Sequence, residues 1–181
     1  NNTDQKHYYL KDSIGLYPGY PRPETEKLII TESIIDAASL LQIESITKEY
    51  SLLAAYGTNR LNDEMKATVM ELKQLKEIVF AFDNDEAGNK AAAKYKEELQ
   101  TLLPSVTISK IILPCKDVNE TLAAHNEEVF TQLLQERTTD FFFSTETSIE
   151  KKNSETSPQP GATLHVDKTI EKQKLSELKQ Q

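Results

Sequence analysis

The sequence predicts a compact α/β domain built on about four parallel strands with helices on both faces. Three observations predict it. Short apolar runs without alternating polarity recur about every 25 to 30 residues, each run is followed by a helical pattern, and acidic residues stand at the ends of several runs. Strands that are apolar on both faces and joined by helices belong to a parallel sheet covered on both sides.

The first run is KLIIT at 27–31, followed by a helix over 33–41 with Ile34, Ala37, Ala38 and Leu41 on one face. SLLAA at 51–55 is the second strand and closes on the turn Tyr56-Gly57-Thr58. Leu61, Met65, Val69, Leu72 and Leu75 then fall at helical spacing. EIVFAF at 77–82 is the third strand, a helix over 86–103 follows, and VTISKIIL at 106–113 is the fourth. A last helix is expected over 119–135.

The flanks differ from this body. Residues 7–23 hold four tyrosines, three prolines and two glycines, which exclude a regular helix; the tyrosines there are expected to pack rather than to stack on a ligand. The stretch STETSIEKKNSETSPQPGA at 144–162 carries one aliphatic residue and cannot offset its chain entropy, so it reads as a linker. Val166, Ile170, Leu175 and Leu178 give a short helix with a narrow apolar stripe. The expected organisation is a lead-in at 1–26, a domain at 27–140, a flexible linker at 141–165 and the start of a further helical region at 166–181. A start without Met and a helical-looking end read as a piece of a longer protein.

The 181 residues carry 29 acidic and 21 basic side chains, a net charge of −8. Mean hydropathy is −0.55. The surplus of acid lies wholly in the first 140 residues, and it argues against a grip on nucleic acid by general positive charge. A single cysteine, Cys115, excludes an internal disulfide, and with three scattered histidines it cannot complete a four-ligand zinc site. These features fit a reducing cytoplasm. No apolar run approaches the length of a membrane span, and a role at the membrane is not expected.

In open α/β sheets, functional groups gather beyond the carboxyl ends of the strands. Here the first strand ends at Glu32, with Asp36 four residues on. The third ends in Asp83-Asn84-Asp85-Glu86-Ala87-Gly88, and the fourth in Lys116-Asp117-Val118-Asn119-Glu120. Two carboxylates ~5 Å apart repel by about 3 kcal/mol at an effective dielectric of ~20, so such a group must protonate, spread apart or bind a cation. Hard oxygen donors select Mg²⁺ or Mn²⁺. Asp83 and Asp85 are placed to face one ion, Gly88 clears the start of the next helix, and Glu32, on a different strand, can handle protons. The plainer account is that these acids cap helices and favour their first turns. Capping explains one acid per helix and not the Asp-x-Asp pair.

Glu32 with Asp36, Gly57-Thr58, and Asp83-x-Asp85-x-x-Gly88 resemble the Toprim domain, the Rossmann-like catalytic fold of topoisomerases, bacterial DnaG-type primases and several nucleases. Lys116-Asp117-Val118-Asn119-Glu120 looks most like the branch of primases and phage primase-helicases. The resemblance covers about residues 27–125. It implies that Glu32 acts as general acid or base, that Asp83 and Asp85 hold Mg²⁺, and that Asp36 and Asp117 support the acidic site. It further implies nucleotidyl transfer, with primer RNA made on single-stranded DNA from nucleoside triphosphates in replication of a chromosome, plasmid or mobile element, alongside a helicase or another replication protein. Ser33 stands where the family usually has glycine, and Asn119 where primases usually have a second aspartate.

Arg60 and Lys90 are the candidate phosphate or template contacts, although a solvated helix face is the simpler account of Lys90, Lys94 and Lys96. Cys115 reads as an ordinary thiol, His125 as a surface or packing residue, and 141–143 as an aromatic anchor. Other readings of the same acids are a nuclease that cuts phosphodiesters and a non-catalytic interaction module. Asp83-Asn84-Asp85 also resembles the nucleophile motif of haloacid-dehalogenase-type phosphatases, but that fold opens on its Asp-x-Asp strand, and here Gly57-Thr58 precedes it.

Overall fold

A computed structural model of the chain describes residues 15–56 and 61–142. Gly57-Thr58, Arg60, Phe143, the expected linker at 144–162 and the expected terminal helix lie outside the described residues.

Four strands form one parallel sheet: β1 (Lys27–Thr31), β2 (Ser51–Ala54), β3 (Glu77–Ala81) and β4 (Thr107–Lys110), in the order β2-β1-β3-β4. Ile29 pairs with Leu52 on one side and Val79 on the other, so β1 is buried at the sheet centre. Alternate residues feed two cores. Leu28, Ile30, Ile78 and Phe80 pack under α3 (Asp63–Glu71) and α4 (Glu86–Leu102). Ile29, Val79 and Ala81 pack on the opposite face against α1 (Ile34–Leu40), α2 (Glu44–Glu49), α5 (Val118–Ala124) and α6 (Glu128–Gln135). The helices therefore lie on both faces, as expected. Among the described residues no helix is long and apolar enough to cross a membrane.

Three elements differ from the sequence expectation. α2 was not anticipated: it buries only Ile46 and has no side-chain cap, so it shows no amphipathic stripe. β4 stops at Lys110, where Lys110 bridges back to Thr138 and Ile112 turns out to solvent. The helix expected over 119–135 is two helices, with His125 extended at φ −128° and ψ 174° between them. At about 100° per residue a continuous helix would set Phe130 opposite Thr121, yet both are buried, and the break lets each helix face the sheet.

Of the described lead-in, Leu16 joins the core, and the Tyr17 carbonyl accepts from Ala54 N at 3.0 Å. Tyr20 does not pack as expected. It is exposed, and its hydroxyl donates to Glu64. Phe141 anchors the other end of the domain, edge-on to Phe80, whereas Phe142 faces solvent.

Candidate acidic active site

The strand order places a topological switch point between β1 and β3, because the chain leaves β1 toward β2 and then returns to the other side for β3. Such a point opens a crevice beyond the carboxyl ends of both strands. Thr31 is in register with Ala81, so Glu32 and the Phe82-Asp83 step leave the sheet side by side. Buried Thr31 fixes the exit by donating its hydroxyl to the Ser33 carbonyl at 2.9 Å.

The turns that carry the acids start helices. Ser33 caps α1, Asp85 caps α4 by accepting from Gly88 N at 2.8 Å, and Asp117 caps α5 by accepting from Glu120 N at 2.7 Å. Capping thus accounts for one oxygen of Asp85 and one of Asp117. It accounts for neither Glu32 nor Asp83. A Cβ on Gly88 would stand 2.3 Å from the Asp83 carbonyl oxygen, so glycine is what allows the helix to begin under the Asp83 turn.

The turns are tied to one another. Asn84 N donates to the Lys116 carbonyl at 2.7 Å and Asn84 Nδ2 to the Leu113 carbonyl at 2.8 Å, joining the β3 turn to the segment after β4. Asp36 is buried, and both its oxygens are engaged: Oδ2 accepts from the Ser33 hydroxyl at 2.6 Å and Oδ1 from Asn119 N at 3.2 Å. The Ser39 hydroxyl is shared between the Ile35 carbonyl at 3.0 Å and Asn119 Oδ1 at 3.2 Å. The two positions that depart from the family pattern, Ser33 and Asn119, therefore meet on Asp36. Sequence reasoning missed the bracing by Asn84 and Ser39, since an Asn between two aspartates and a helical serine carry no signal of the loops they reach.

The charge is frustrated in the way the sequence implied. Burial pushes the Glu32 carboxyl up to about 7, with the Asp83 charge next in size and Asp85 and Asp36 adding to it, against a hydrogen bond from the Asp83 backbone. Burial likewise pushes Asp83 up to about 6, helped by Asp36, Asp117 and Asp85 and opposed by Lys116, whose Nζ lies 4.0 Å away. Asp36 is raised by burial and restrained by its Ser33 and Asn119 bonds. Glu32 Oε2 is buried without a hydrogen-bond partner.

These donors fit a hard divalent cation in chemistry. They are all carboxylate oxygens, they repel one another, and a buried orphan oxygen lies among them. They are not a closed cage, since among the described residues no group of three His, Cys, Asp or Glu converges closely enough to hold an ion.

The other candidates lie apart. Lys90 forms an exposed i, i+4 pair with Glu86, Lys94 faces Glu98, and Lys96 donates to the Thr139 and Phe141 carbonyls. His125 is exposed and Cys115 is a free, half-buried thiol. Lys110, which the sequence reading did not single out, lines the crevice beside Asp83. Its signal was a lone lysine inside the apolar run VTISKIIL.

The sheet order, the switch point and the acids at its rim define a Toprim domain, and the chain belongs to the Toprim-like family, which matches residues 29–122. Among known proteins the chain is similar to the DNA helicase/primase of Enterobacteria phage T3, with 30% identity over 96 residues, 52% of this chain and 16% of that protein. It thus spans about a sixth of that relative's length. Among solved structures it is similar to the primase fragment of the bacteriophage T7 primase-helicase, at 26% identity and a TM-score of 0.48 over 60% of this chain and 44% of that one. The zinc-binding and RNA polymerase domains of the Aquifex aeolicus primase match at 20% identity and a TM-score of 0.46, over 62% of this chain and 26% of that one.

Proposed function

We propose that this chain is the nucleotidyl-transfer module of a primase-like protein, making primer RNA on single-stranded DNA from nucleoside triphosphates with Mg²⁺ or Mn²⁺. The observation that carries the reading is the approach of Glu32 and Asp83 just beyond the ends of the adjacent strands β1 and β3 at the switch point, where burial and the Asp83 charge push the Glu32 carboxyl up to about 7. A carboxyl poised there can take a proton from an attacking hydroxyl or return one to a leaving group. Asp83 and Asp85 would hold the divalent ion, which when bound supplies neutralisation of phosphate charge. Asp117 supports the same rim, and Asp36 positions the loops through Ser33 and Asn119. Similarity to a phage helicase/primase supports this reading and makes a helicase the expected partner. Template-binding basic regions are expected elsewhere in the parent protein, given the net charge of −8.

A non-catalytic interaction module is the second reading. It draws on Asp36, whose two oxygens are both spent on bracing. Ribonucleotide incorporation on single-stranded DNA by the parent protein decides between them. Incorporation that is lost in Glu32→Gln and in Asp83→Ala supports the primase reading. Cleavage of the DNA in its place assigns a nuclease, and neither activity with either metal leaves the interaction module.

A further inference from the structure

At the turn after β3, a small crevice is lined by Phe82, Asp83, Asn84, Gly88, Asn89 and Lys110, with Asp83 as the one acid of its lining. Lys110 is the last residue of β4 and the cation of this lining. Its Nζ donates to Asn89 Oδ1 at 2.6 Å, and Asn89 Nδ2 donates to the Asp85 carbonyl at 2.7 Å. The Asn89 amide thus ties the ammonium to the same turn that carries Asp83 and Asp85. The Phe141 ring, 5.5 Å from Nζ, closes another side.

Lys90, Lys94 and Lys116 each face a carboxylate, whereas Lys110 makes no ion pair among the described residues. Burial lowers its pKa with no carboxylate charge opposing the shift. The ammonium is therefore partly stripped of water, fixed in direction by Asn89 and, among the described residues, without a carboxylate counter-ion. A lysine serving only the sheet edge would extend into solvent or meet an acid. One N–H is used by Asn89, and the others remain for an acceptor. A compact anion with several acceptor oxygens meets that need, and phosphate is the anion that nucleotides and nucleic acids share.

We propose that Lys110, positioned by Asn89, binds a phosphate group of the substrate next to the acidic rim, from either a nucleoside triphosphate or a nucleic-acid backbone. The inference deepens the nucleotidyl-transfer reading and rests on it. In a domain with a surplus of acid, a single oriented cation gives phosphate a local foothold that the net charge denies it.

The test uses the 181-residue chain and two probes, inorganic tripolyphosphate and single-stranded oligothymidylate, by calorimetric titration at low salt with Mg²⁺ and again in EDTA. Lys110→Gln keeps a stem and a donor for Asn89 but removes the charge; Lys110→Arg keeps the charge. Lys110→Gln is expected to weaken tripolyphosphate binding about tenfold in both buffers, with Lys110→Arg recovering most of it. A loss confined to oligothymidylate, with a salt slope smaller by about one, supports the proposal and assigns the phosphate to the backbone. Unchanged affinity of Lys110→Gln for both probes, or a wild-type chain that binds neither, overturns it. A parallel Mg²⁺ titration keeps the readings apart. Absence of Mg²⁺ binding by the wild type sinks the metal assignment, while the EDTA arm still decides Lys110.

Discussion

The Ser33 hydroxyl donates to Asp36 Oδ2 at 2.6 Å, while Asp36 N donates back to Ser33 Oγ at 3.2 Å. This reciprocal cap turns the first residue after Glu32 into a clamp, and Asn119 N closes it from α5. Asp36 is 3% exposed. Its carboxylate therefore acts through the loops it holds together.

Asp36→Ala is expected to cost about 2 kcal/mol, because it removes the buried acceptor of both the Ser33 hydroxyl and the Asn119 N–H, each part-buried where it meets Asp36. Ser33→Ala should cost about 1 kcal/mol, the usual value of a lost N-cap. Asp36→Asn keeps the shape and can still meet both partners, so it should fall well short of Asp36→Ala. Urea midpoints of the three variants check the order. Equal losses for Asn and Ala would mean that charge, and not hydrogen bonding, is what Asp36 contributes.

Asp85 has two separable tasks. Asp85→Ala removes both the α4 cap and a carboxylate, while Asp85→Ser retains a capping oxygen. Without metal, the alanine variant should lose about 1 kcal/mol and the serine variant a few tenths. Each, combined with Asp83→Ala, should abolish Mg²⁺ binding followed by calorimetry. Persistent binding in Asp83→Ala plus Asp85→Ser would remove the metal from these residues.

The acidic rim also fixes the sign of a pH dependence. Glu32 titrates at about 7 in the folded chain against an ordinary 4.5, and Asp83 at about 6 against 3.8. The folded state then binds more protons than the unfolded state between these limits, so metal-free stability falls as pH rises through the window and levels off above about 7. Melting temperatures in EDTA from pH 5 to pH 8, compared with Glu32→Gln, check it. The variant should show a shallower fall and a higher melting temperature at the alkaline end. A wild type with no greater loss than Glu32→Gln would contradict the burial of that charge.

Gly88→Ala should destabilise the chain by about 2 kcal/mol, since the added methyl meets backbone at 2.3 Å and the Asp83 turn must shift. The same shift should weaken Mg²⁺ binding although no carboxylate is removed. A fully stable Gly88→Ala protein with wild-type Mg²⁺ affinity would show that the turn is free to move.

The alternation of apolar runs and helical patterns was enough to read the parallel sheet, because two-sided burial leaves no polar face on Leu28, Ile29, Ile30 or Ile78, Val79, Phe80. The places where α2 forms and where the last helix breaks were not legible. Ile46 is the single buried residue of α2, and the break at His125 has neither proline nor glycine to announce it.

Sequence by itself determined that Glu32, Asp83 and Asp85 would follow the ends of β1 and β3, because strand termini are local; Asp117, expected at the end of the fourth strand, instead caps α5, well beyond the last strand residue Lys110. Only the tertiary structure decided which of them carry frustrated charge. That division arises because β1 and β3 are neighbours, Asn119 reaches Asp36 across 83 positions, and helix starts claim one oxygen each of Asp85 and Asp117. Burial and proximity then act on what is left, raising Glu32 and Asp83, with Lys116 as the cation that faces Asp83 and Lys110, on the edge strand, lining the crevice under the same turn. Strand order and hydrogen-bond partners over such separations are properties of packing, which no local pattern encodes.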